Sequence, residues 1–119
     1  MNRVGVDLVE VERIRGLAEK WGDRFLQRVF SEEEIRYCFR NRDPWPHLAV
    51  RFAAKEALVK SLGTAFTFRE ISVEHDNAGR PVFRFHGGSE QMVKNLGLKS
   101  LDVSLTHTKL LAIAMVAVE

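Results

Sequence analysis

The chain has 119 residues, 45% of them hydrophobic, and a formal net charge of +2 at pH 7. This length predicts a single domain over residues 1–119 with a modest core. So small a charge gives no overall field to attract nucleic acid, and no apolar run is long enough to span a membrane. The single cysteine, Cys38, cannot form an intramolecular disulfide, so we expect a packed thiol in a soluble, cytoplasmic protein.

The N-terminal apolar run, residues 4–9, contains one acid, Asp7. A short run rich in valine and leucine predicts a buried strand. A carboxylate inside such a strand is costly unless it is paired or binds a metal. The alternative is an aspartate at the end of the strand that caps the following helix.

Two consecutive helical segments follow the strand. The pattern predicts a helix from Glu10 to about Ala18, an interruption at Gly22, and a further turn or two to Val29. Basic residues recur at intervals of three and four beside apolar neighbours, namely Arg13, Lys20, Arg24 and Arg28 with Leu17 and Phe25. Such a stripe suits an acidic partner helix, although a solvated helix face is the alternative.

The next helix begins with a capping box at Ser31, whose hydroxyl and the Glu34 carboxylate can bond each other's backbone amides. We expect this helix to run to about Arg40. The segment Asn41–His47 contains two prolines and is predicted to be a loop.

Residues 51–64 read R-F-A-A-K-E-A-L-V-K-S-L-G-T, and strong helix formers fill the run as far as Gly63, the expected C-terminal cap. Glu56 and Lys60 lie one turn apart in a sector of small and apolar residues, so we expect this pair to avoid bulk water. The alternative is an ordinary surface salt bridge between them.

The C-terminal half reads mainly as strands. Residues 70–75 and 82–86 alternate around a turn at 76–81 and predict a hairpin, with His75 and His86 facing solvent. Ser89 is a plausible N-cap for a short helix that ends near Gly97.

Two further strands are predicted at the end of the sequence. Leu101, Val103 and Leu105 face one side of the first, and Leu110–Val118 reads as a buried central strand. The polar connection at residues 106–109 could contact phosphate, or it could be an ordinary turn. Together the elements predict an α+β fold, an antiparallel sheet with helices packed mainly on one face.

Three blocks of sequence resemble those of the holo-(acyl-carrier-protein) synthases, the small 4'-phosphopantetheinyl transferases. They are the stretch at residues 51–64, G-x-D at residues 5–7 ahead of Arg13-Ile14, and S-x-T-H-T at residues 104–108. Their order and spacing match the family and cover nearly the whole chain. One departure is Ala65, where the family usually has a glycine, and it affects the loop after the helix.

The resemblance implies transfer of 4'-phosphopantetheine from coenzyme A to a serine of apo-acyl carrier protein, as in fatty acid biosynthesis. The leaving group would be adenosine 3',5'-bisphosphate. Asp7 and Glu56 would hold Mg²⁺, a metal that prefers hard oxygen ligands. Lys60 would offset charge on the phosphates, and Glu56 would take the serine proton, directly or through a metal-bound water. These three residues are the predicted catalytic set.

The resemblance also implies two binding surfaces and an assembly. The predicted coenzyme A contacts are Arg51, Lys60, Gly63, Thr64, Pro81, Thr106 and His107. The predicted acyl carrier protein contacts are Arg13, Ile14, Leu17, Arg24, Phe25 and Arg28. Larger members of the superfamily carry two copies of the lysine-glutamate helix, whereas this chain carries one. We therefore expect a homotrimer with active sites at the subunit interfaces.

Two other classes of function remain open from the residues. A non-catalytic module that binds carrier proteins would keep the basic stripe but would have no need of Asp7, Glu56 and Lys60 together. A nucleic-acid binder would use the basic residues, but these are interleaved with acids and no aromatic platform accompanies them. We therefore favour the enzyme.

Overall fold

The computed structural model describes residues 2–119. The elements in chain order are β1 (Arg3–Glu10), α1 (Val11–Trp21), α2 (Asp23–Val29), α3 (Glu32–Phe39), α4 (Pro44–Leu62), a 3-10 helix (Phe68–Glu70), β2 (Ile71–His75), β3 (Pro81–Phe85), α5 (Gly87–Leu96), β4 (Leu101–His107) and β5 (Leu111–Val118). Across the described residues, we find no helix that combines the length and the apolar character needed to cross a bilayer.

Two antiparallel sheets form the β structure. The three-stranded sheet has the order β1-β5-β4, and β2 and β3 form a separate hairpin. Helix α4 packs across one face of the three-stranded sheet, against both β1 and β5. This arrangement confirms the α+β prediction, with helices covering one face of an antiparallel sheet.

Helix α4 lies unusually close to β1 because small residues line the contact. Ala49, Ala53 and Ala57 are completely buried. A Cβ atom added at Gly5 would lie 2.0 Å from the carbonyl oxygen of Ala57, a distance that no real contact allows. The lack of a side chain at Gly5 therefore lets the strand and the helix backbones meet directly.

The opposite face of the sheet carries apolar side chains that no other element within residues 2–119 covers. On β1 the side chains of Val4, Val6 and Leu8 are 54% to 61% exposed. On β5 their neighbours Leu111, Ile113 and Met115 are 38% to 48% exposed. The position of β5 at the centre is confirmed, but the predicted burial of residues 4–9 and 110–118 is wrong for every second residue. A continuous apolar run does not show which face is covered.

The predicted loop at Asn41–His47 is wrong from residue 44 onwards, because α4 begins at Pro44. The side chain of Asp43 accepts a hydrogen bond from the Trp45 backbone N–H and caps the helix. Proline is tolerated in the first turn, where backbone N–H groups have no helical acceptor. The two prolines therefore mark the start of α4.

Several local predictions are confirmed. Ser31 and Glu34 form the complete capping box at the start of α3. Gly63 ends α4 in the left-handed conformation, with φ of 67°. Cys38 is fully buried, and burial raises the pKa of its thiol to about 12, as expected of a packing residue.

Helix α5 begins differently from the prediction, although it ends at Gly97 as expected. Its N-cap is His86, and Ser89 lies inside the helix. The Ser89 hydroxyl donates to Glu70 Oε1 over 2.9 Å. A carboxylate from the 3-10 helix thus takes the place of a local cap, and local sequence could not reveal so distant a partner.

Candidate active site

Asp7 and Lys60 form an ion pair between β1 and α4. Lys60 Nζ donates to Asp7 Oδ1 over 3.0 Å and to the Val6 carbonyl oxygen over 3.1 Å. The Asp7 side chain is 15% exposed and that of Lys60 is 55% exposed. Asp7 therefore lies inside the strand and does not cap the following helix. The expectation that Lys60 avoids bulk water is wrong, since the end of its side chain reaches the surface.

Glu56 lies one helical turn before Lys60, on the same side of α4. Its side chain is partly buried, and within residues 2–119 its carboxylate accepts no hydrogen bond. Lys60 pairs with Asp7, so the surface salt bridge to Glu56 that we considered does not form in this structure. The result is an Asp7–Lys60 ion pair where α4 packs on β1, with the Glu56 carboxylate one helical turn away on the same side of α4.

The donor set of Asp7 and Glu56 fits Mg²⁺. Both residues offer hard carboxylate oxygens, and Mg²⁺ is usually held by one or two carboxylates together with phosphates of the substrate. Within residues 2–119 we find no group of three or more His, Cys, Asp or Glu side chains that could hold a metal, so a metal at Asp7 and Glu56 would take its other ligands from the substrate and water. Gly63 and Thr64 follow Lys60 at the end of α4, on the exposed side of the helix terminus.

Arg51 lies in a different part of the structure from Lys60. Its side chain is buried and donates to the carbonyl oxygens of Val73 and His47 over 3.3 and 3.1 Å. The guanidinium lies 4.6 Å from the centre of the Tyr37 ring. These contacts fix Arg51 between α3, α4 and β2.

A group of histidines surrounds this arginine. The rings of His47 and His107 are 5.0 Å apart, and the His75 ring is 5.5 Å from that of Tyr37. Pro81 pairs with His75 in the β2–β3 ladder. Burial, followed by the nearby His107 and Arg51, lowers the pKa of His47. The structure thus brings the predicted residues Arg51, Pro81 and His107 into one region. Thr106, by contrast, points to the exposed face of the sheet.

Within one chain these two groups of predicted residues face different directions. Arg51 and Lys60 are nine residues apart on α4, which separates them by about 13 Å along the axis and half a turn around it. The sequence did not indicate this division. It also gave no reason to select His47 or Tyr37, because their importance depends on contacts with distant segments.

A groove of about 700 Å³ lies beside α1 and α2, and it gathers most of the predicted carrier-protein contacts. Its lining consists of Leu17, Trp21, Arg24, Phe25, Gln27, Arg28, Thr67 and Arg69. Trp21 was missed, although it lies one turn after Leu17 on α1, whereas Phe25 lies on α2 beyond the break at Gly22. Arg69 could not have been found, because it comes from the 3-10 helix.

Two predicted carrier-protein residues lie outside this groove. The guanidinium of Arg13 lies over the Phe52 ring, 5.6 Å from its centre. Ile14 is completely buried in the core and has no surface to offer a partner. Ile14 therefore supports α1 from beneath, and its selection as a contact residue is wrong.

Comparison with known proteins agrees with this architecture. Residues 3–113 match the model of the 4'-phosphopantetheinyl transferase superfamily. The holo-(acyl-carrier-protein) synthase of Halothermothrix orenii is 42% identical over 119 residues, covering 98% of this chain and 95% of that protein. The synthase of Leptospira biflexa is 44% identical over 111 residues, covering 90% of this chain and 87% of that protein.

Solved structures give the same result. The crystal structure of the Neisseria meningitidis synthase has a TM-score of 0.89 and 31% identity, over 98% of this chain and 97% of that one. The Helicobacter pylori synthase in complex with coenzyme A has a TM-score of 0.83 and 28% identity, over 98% and 99%. The chain therefore belongs to the 4'-phosphopantetheinyl transferase superfamily and, within it, to the holo-(acyl-carrier-protein) synthases.

Proposed function

We propose that the protein transfers 4'-phosphopantetheine from coenzyme A to a serine hydroxyl of apo-acyl carrier protein in a reaction that requires Mg²⁺. Adenosine 3',5'-bisphosphate is the second product. The observation that carries this proposal is the cluster of Asp7, Glu56 and Lys60 in a chain of this family. Solved synthases in complex with coenzyme A support the choice of donor.

The reaction needs charge neutralisation and positioning more than covalent participation by the protein. Asp7 and Glu56 would hold Mg²⁺, and the bound ion would supply positive charge to offset that of the pyrophosphate. Lys60 adds a second positive charge, and its exposed ammonium group can turn from Asp7 towards a phosphate oxygen. The carboxylate of Glu56 accepts no hydrogen bond from residues 2–119, so the oxygen that does not bind the metal can take the proton of the attacking serine.

We also propose that the protein acts as a homotrimer whose active sites lie between subunits. Two observations support this assembly. The apolar outer face of β1 and β5 has no covering element in a single chain, as expected of a surface buried by another copy. Arg51 and Lys60 also lie on opposite sides of α4, so a neighbouring subunit would have to bring Arg51 and His107 to the ligand held by Lys60.

The groove between α1, α2 and the 3-10 helix is our proposed docking site for acyl carrier protein. Three arginines, Arg24, Arg28 and Arg69, line it together with the exposed Trp21 and the half-buried Phe25. Positive charge around an apolar floor suits an acidic amphipathic helix, because charge steers the encounter and apolar contact holds it.

The central test of this function is transfer itself, measured as the mass gained by an apo-acyl carrier protein with coenzyme A and Mg²⁺. We expect Asp7→Ala and Glu56→Gln each to lower the transfer rate by a factor on the order of a hundred or more, as losing electrostatic stabilisation of a transition state does. The matched control is Glu90→Gln, an exposed carboxylate on α5, which should keep full activity.

Chelation provides an independent arm of this test. Excess EDTA should stop transfer by the unmodified protein, and added Mg²⁺ should restore it. Transfer that continues at full rate in EDTA would exclude the metal, and a complete failure to modify the carrier protein would exclude the proposed reaction.

A further inference from the structure

Beside Glu56, on the inner side of α4, Lys55 is buried with no exposed surface. Its ammonium group donates to Glu34 Oε1 over 2.5 Å, to the Val29 carbonyl oxygen over 2.7 Å and to the Phe68 carbonyl oxygen over 3.0 Å. These three bonds use every N–H that a lysine has. Burial lowers the pKa of Lys55, while the adjacent Glu34 acts in the opposite direction.

Glu34 is equally saturated, and it extends the network to two more elements. Its Oε1 also accepts from the Ser31 backbone N–H over 3.0 Å, and its Oε2 accepts from the Val73 backbone N–H over 2.9 Å. The Ser31 hydroxyl bonds the Ser72 hydroxyl over 2.9 Å. A buried polar network in which every member is satisfied fixes the relative positions of the elements that it joins.

The two carbonyl groups that Lys55 holds belong to the two walls of the groove. Val29 is the last residue of α2 and follows Arg28, which lines one wall. Phe68 lies between Thr67 and Arg69, which line the other wall. One ammonium group between these carbonyls therefore sets the separation of α2 from the 3-10 helix, next to the residues that line the groove.

We propose that the buried Lys55–Glu34 network positions the docking groove for acyl carrier protein by holding its two walls at a fixed separation. Neither residue touches the reacting atoms, so both are positioning residues. The inference rests on the proposed function. The network affects how well the carrier protein fits the groove, and it does not affect the binding of coenzyme A. Glu56, the next residue on α4, points about 100° away from Lys55 around the helix axis, and it does not join the network.

The test is the double variant Lys55→Met with Glu34→Gln. Methionine keeps the length of the lysine stem without the ammonium group, and glutamine leaves no unpaired charge in the core. We expect a folded protein whose KM for the carrier protein rises about five- to tenfold while its KM for coenzyme A stays within twofold. Unchanged KM values for both substrates in a folded variant would overturn the proposal.

A further variant separates positioning of the groove from a general loss of stability. Leu48→Ala also opens the core on the buried side of α4, two turns before Lys55, but it removes no hydrogen bond of the network. It should lower the melting temperature but leave the KM for the carrier protein unchanged, and a rise equal to that of the double variant would overturn the proposal.

Should the double variant fail to fold, Ser72→Ala cuts the same network at its β2 end without changing any charge. A twofold rise in the KM for the carrier protein supports the proposal, and no rise overturns it. Transfer by the unmodified protein is measured first in every series. If that protein modifies no carrier protein, the proposed function fails, whereas normal transfer with unchanged KM values in the variants removes only the positioning role.

Discussion

At the scale of single residues, Gly5 is where the strand and the central helix meet. Gly5→Ala would place a Cβ atom 2.0 Å from the Ala57 carbonyl oxygen, so β1 or α4 must move. We expect the free energy of unfolding to fall by about 1–3 kcal/mol, as in other overpacked cores. Because Asp7 is two residues away on the same strand, transfer should slow as well. Thermal unfolding and the transfer assay measure the two effects.

Gly16 provides the matched control for this substitution. It lies within α1, and nothing is within 4 Å of an added Cβ atom there. Gly16→Ala should stabilise the protein by roughly 0.5–1 kcal/mol, because alanine is the better helix former. If both substitutions had the same effect, close approach of backbones would not be the reason for Gly5.

His47 gives the protein a stability that depends on pH. Its pKa in the folded state is lowered from 6.5, mainly by burial and then by His107 and Arg51. The unfolded chain therefore binds a proton more readily, and stability is fully present above about pH 6.5 and declines as the pH falls below it. Urea unfolding measured from about pH 7.5 to about pH 5, a range on both sides of the ordinary histidine pKa, should show the fall in the free energy of unfolding.

His47→Gln should make that decline shallower, since the residue that resists protonation is gone. His86→Gln, at an exposed site outside this histidine group, is the control and should keep the slope of the unmodified protein. An unchanged slope in His47→Gln would assign the pH dependence to other groups.

At the scale of elements, the stripe on α1 and α2 makes a prediction about the partner. Reversing Arg24 and Arg28 to glutamate should raise the KM for the carrier protein by roughly three- to tenfold, because repulsion replaces contacts worth about 0.2–1 kcal/mol each. Added salt should reverse part of the effect, since screening acts over about 10 Å at 0.1 M.

The same double reversal at Lys94 and Lys99, at the far end of α5 and in the loop after it, is the control for net charge. It should leave both KM values nearly unchanged. If charge reversal on α2 weakened the binding of coenzyme A and left that of the carrier protein unchanged, our assignment of the two binding surfaces would be wrong.

The elements whose signals are local could be predicted from the sequence. The capping box at Ser31 and the glycine at residue 63 depend only on their neighbours, and both are confirmed. The start of α4 was missed because two prolines outweighed the helical pattern, although the first turn accepts them. Where a helix begins depends on which backbone N–H groups lack a helical acceptor, and proline fits there because it has no N–H group.

Contacts between distant segments could not be predicted in the same way. Asp7 and Lys60 are 53 residues apart, and Lys55 and Glu34 are 21 residues apart. Lysine is usually a surface residue, so the residue type alone gave no reason to expect Lys55 in the core. The burial of Lys55 follows only when α2, α3 and the 3-10 helix bring their oxygens to it.

At the scale of the whole molecule, the apolar outer face of β1 and β5 makes the prediction about assembly. Val6 and Met115 are paired neighbours at its centre. Met115→Lys would bury a charge without a partner in the proposed trimer, so we expect dissociation and a loss of activity on the order of a hundredfold or more. Light scattering would measure the dissociation, and the transfer assay would measure the loss of activity.

Leu96→Lys is the control, because this leucine is 43% exposed on α5 and outside the sheet. The mass of the Leu96→Lys variant in solution should equal that of the unmodified protein. A fully active monomer in the Met115→Lys variant would contradict both the assembly and the shared site.

The position of β5 has a consequence for the order in which the structure can form. In the part of the chain that the structure describes, β1 and β4 each pair with β5 alone, and the first strand closes on the last, with Arg3 opposite Val118. During synthesis β1 and the apolar side of α4 must therefore wait for residues 111–118. Pairing across almost the entire sequence is slow compared with local structure, and the waiting chain exposes apolar surface. We expect nascent chains that stop before Leu111 to associate with chaperones, whereas a substitution on α5 should scarcely delay folding.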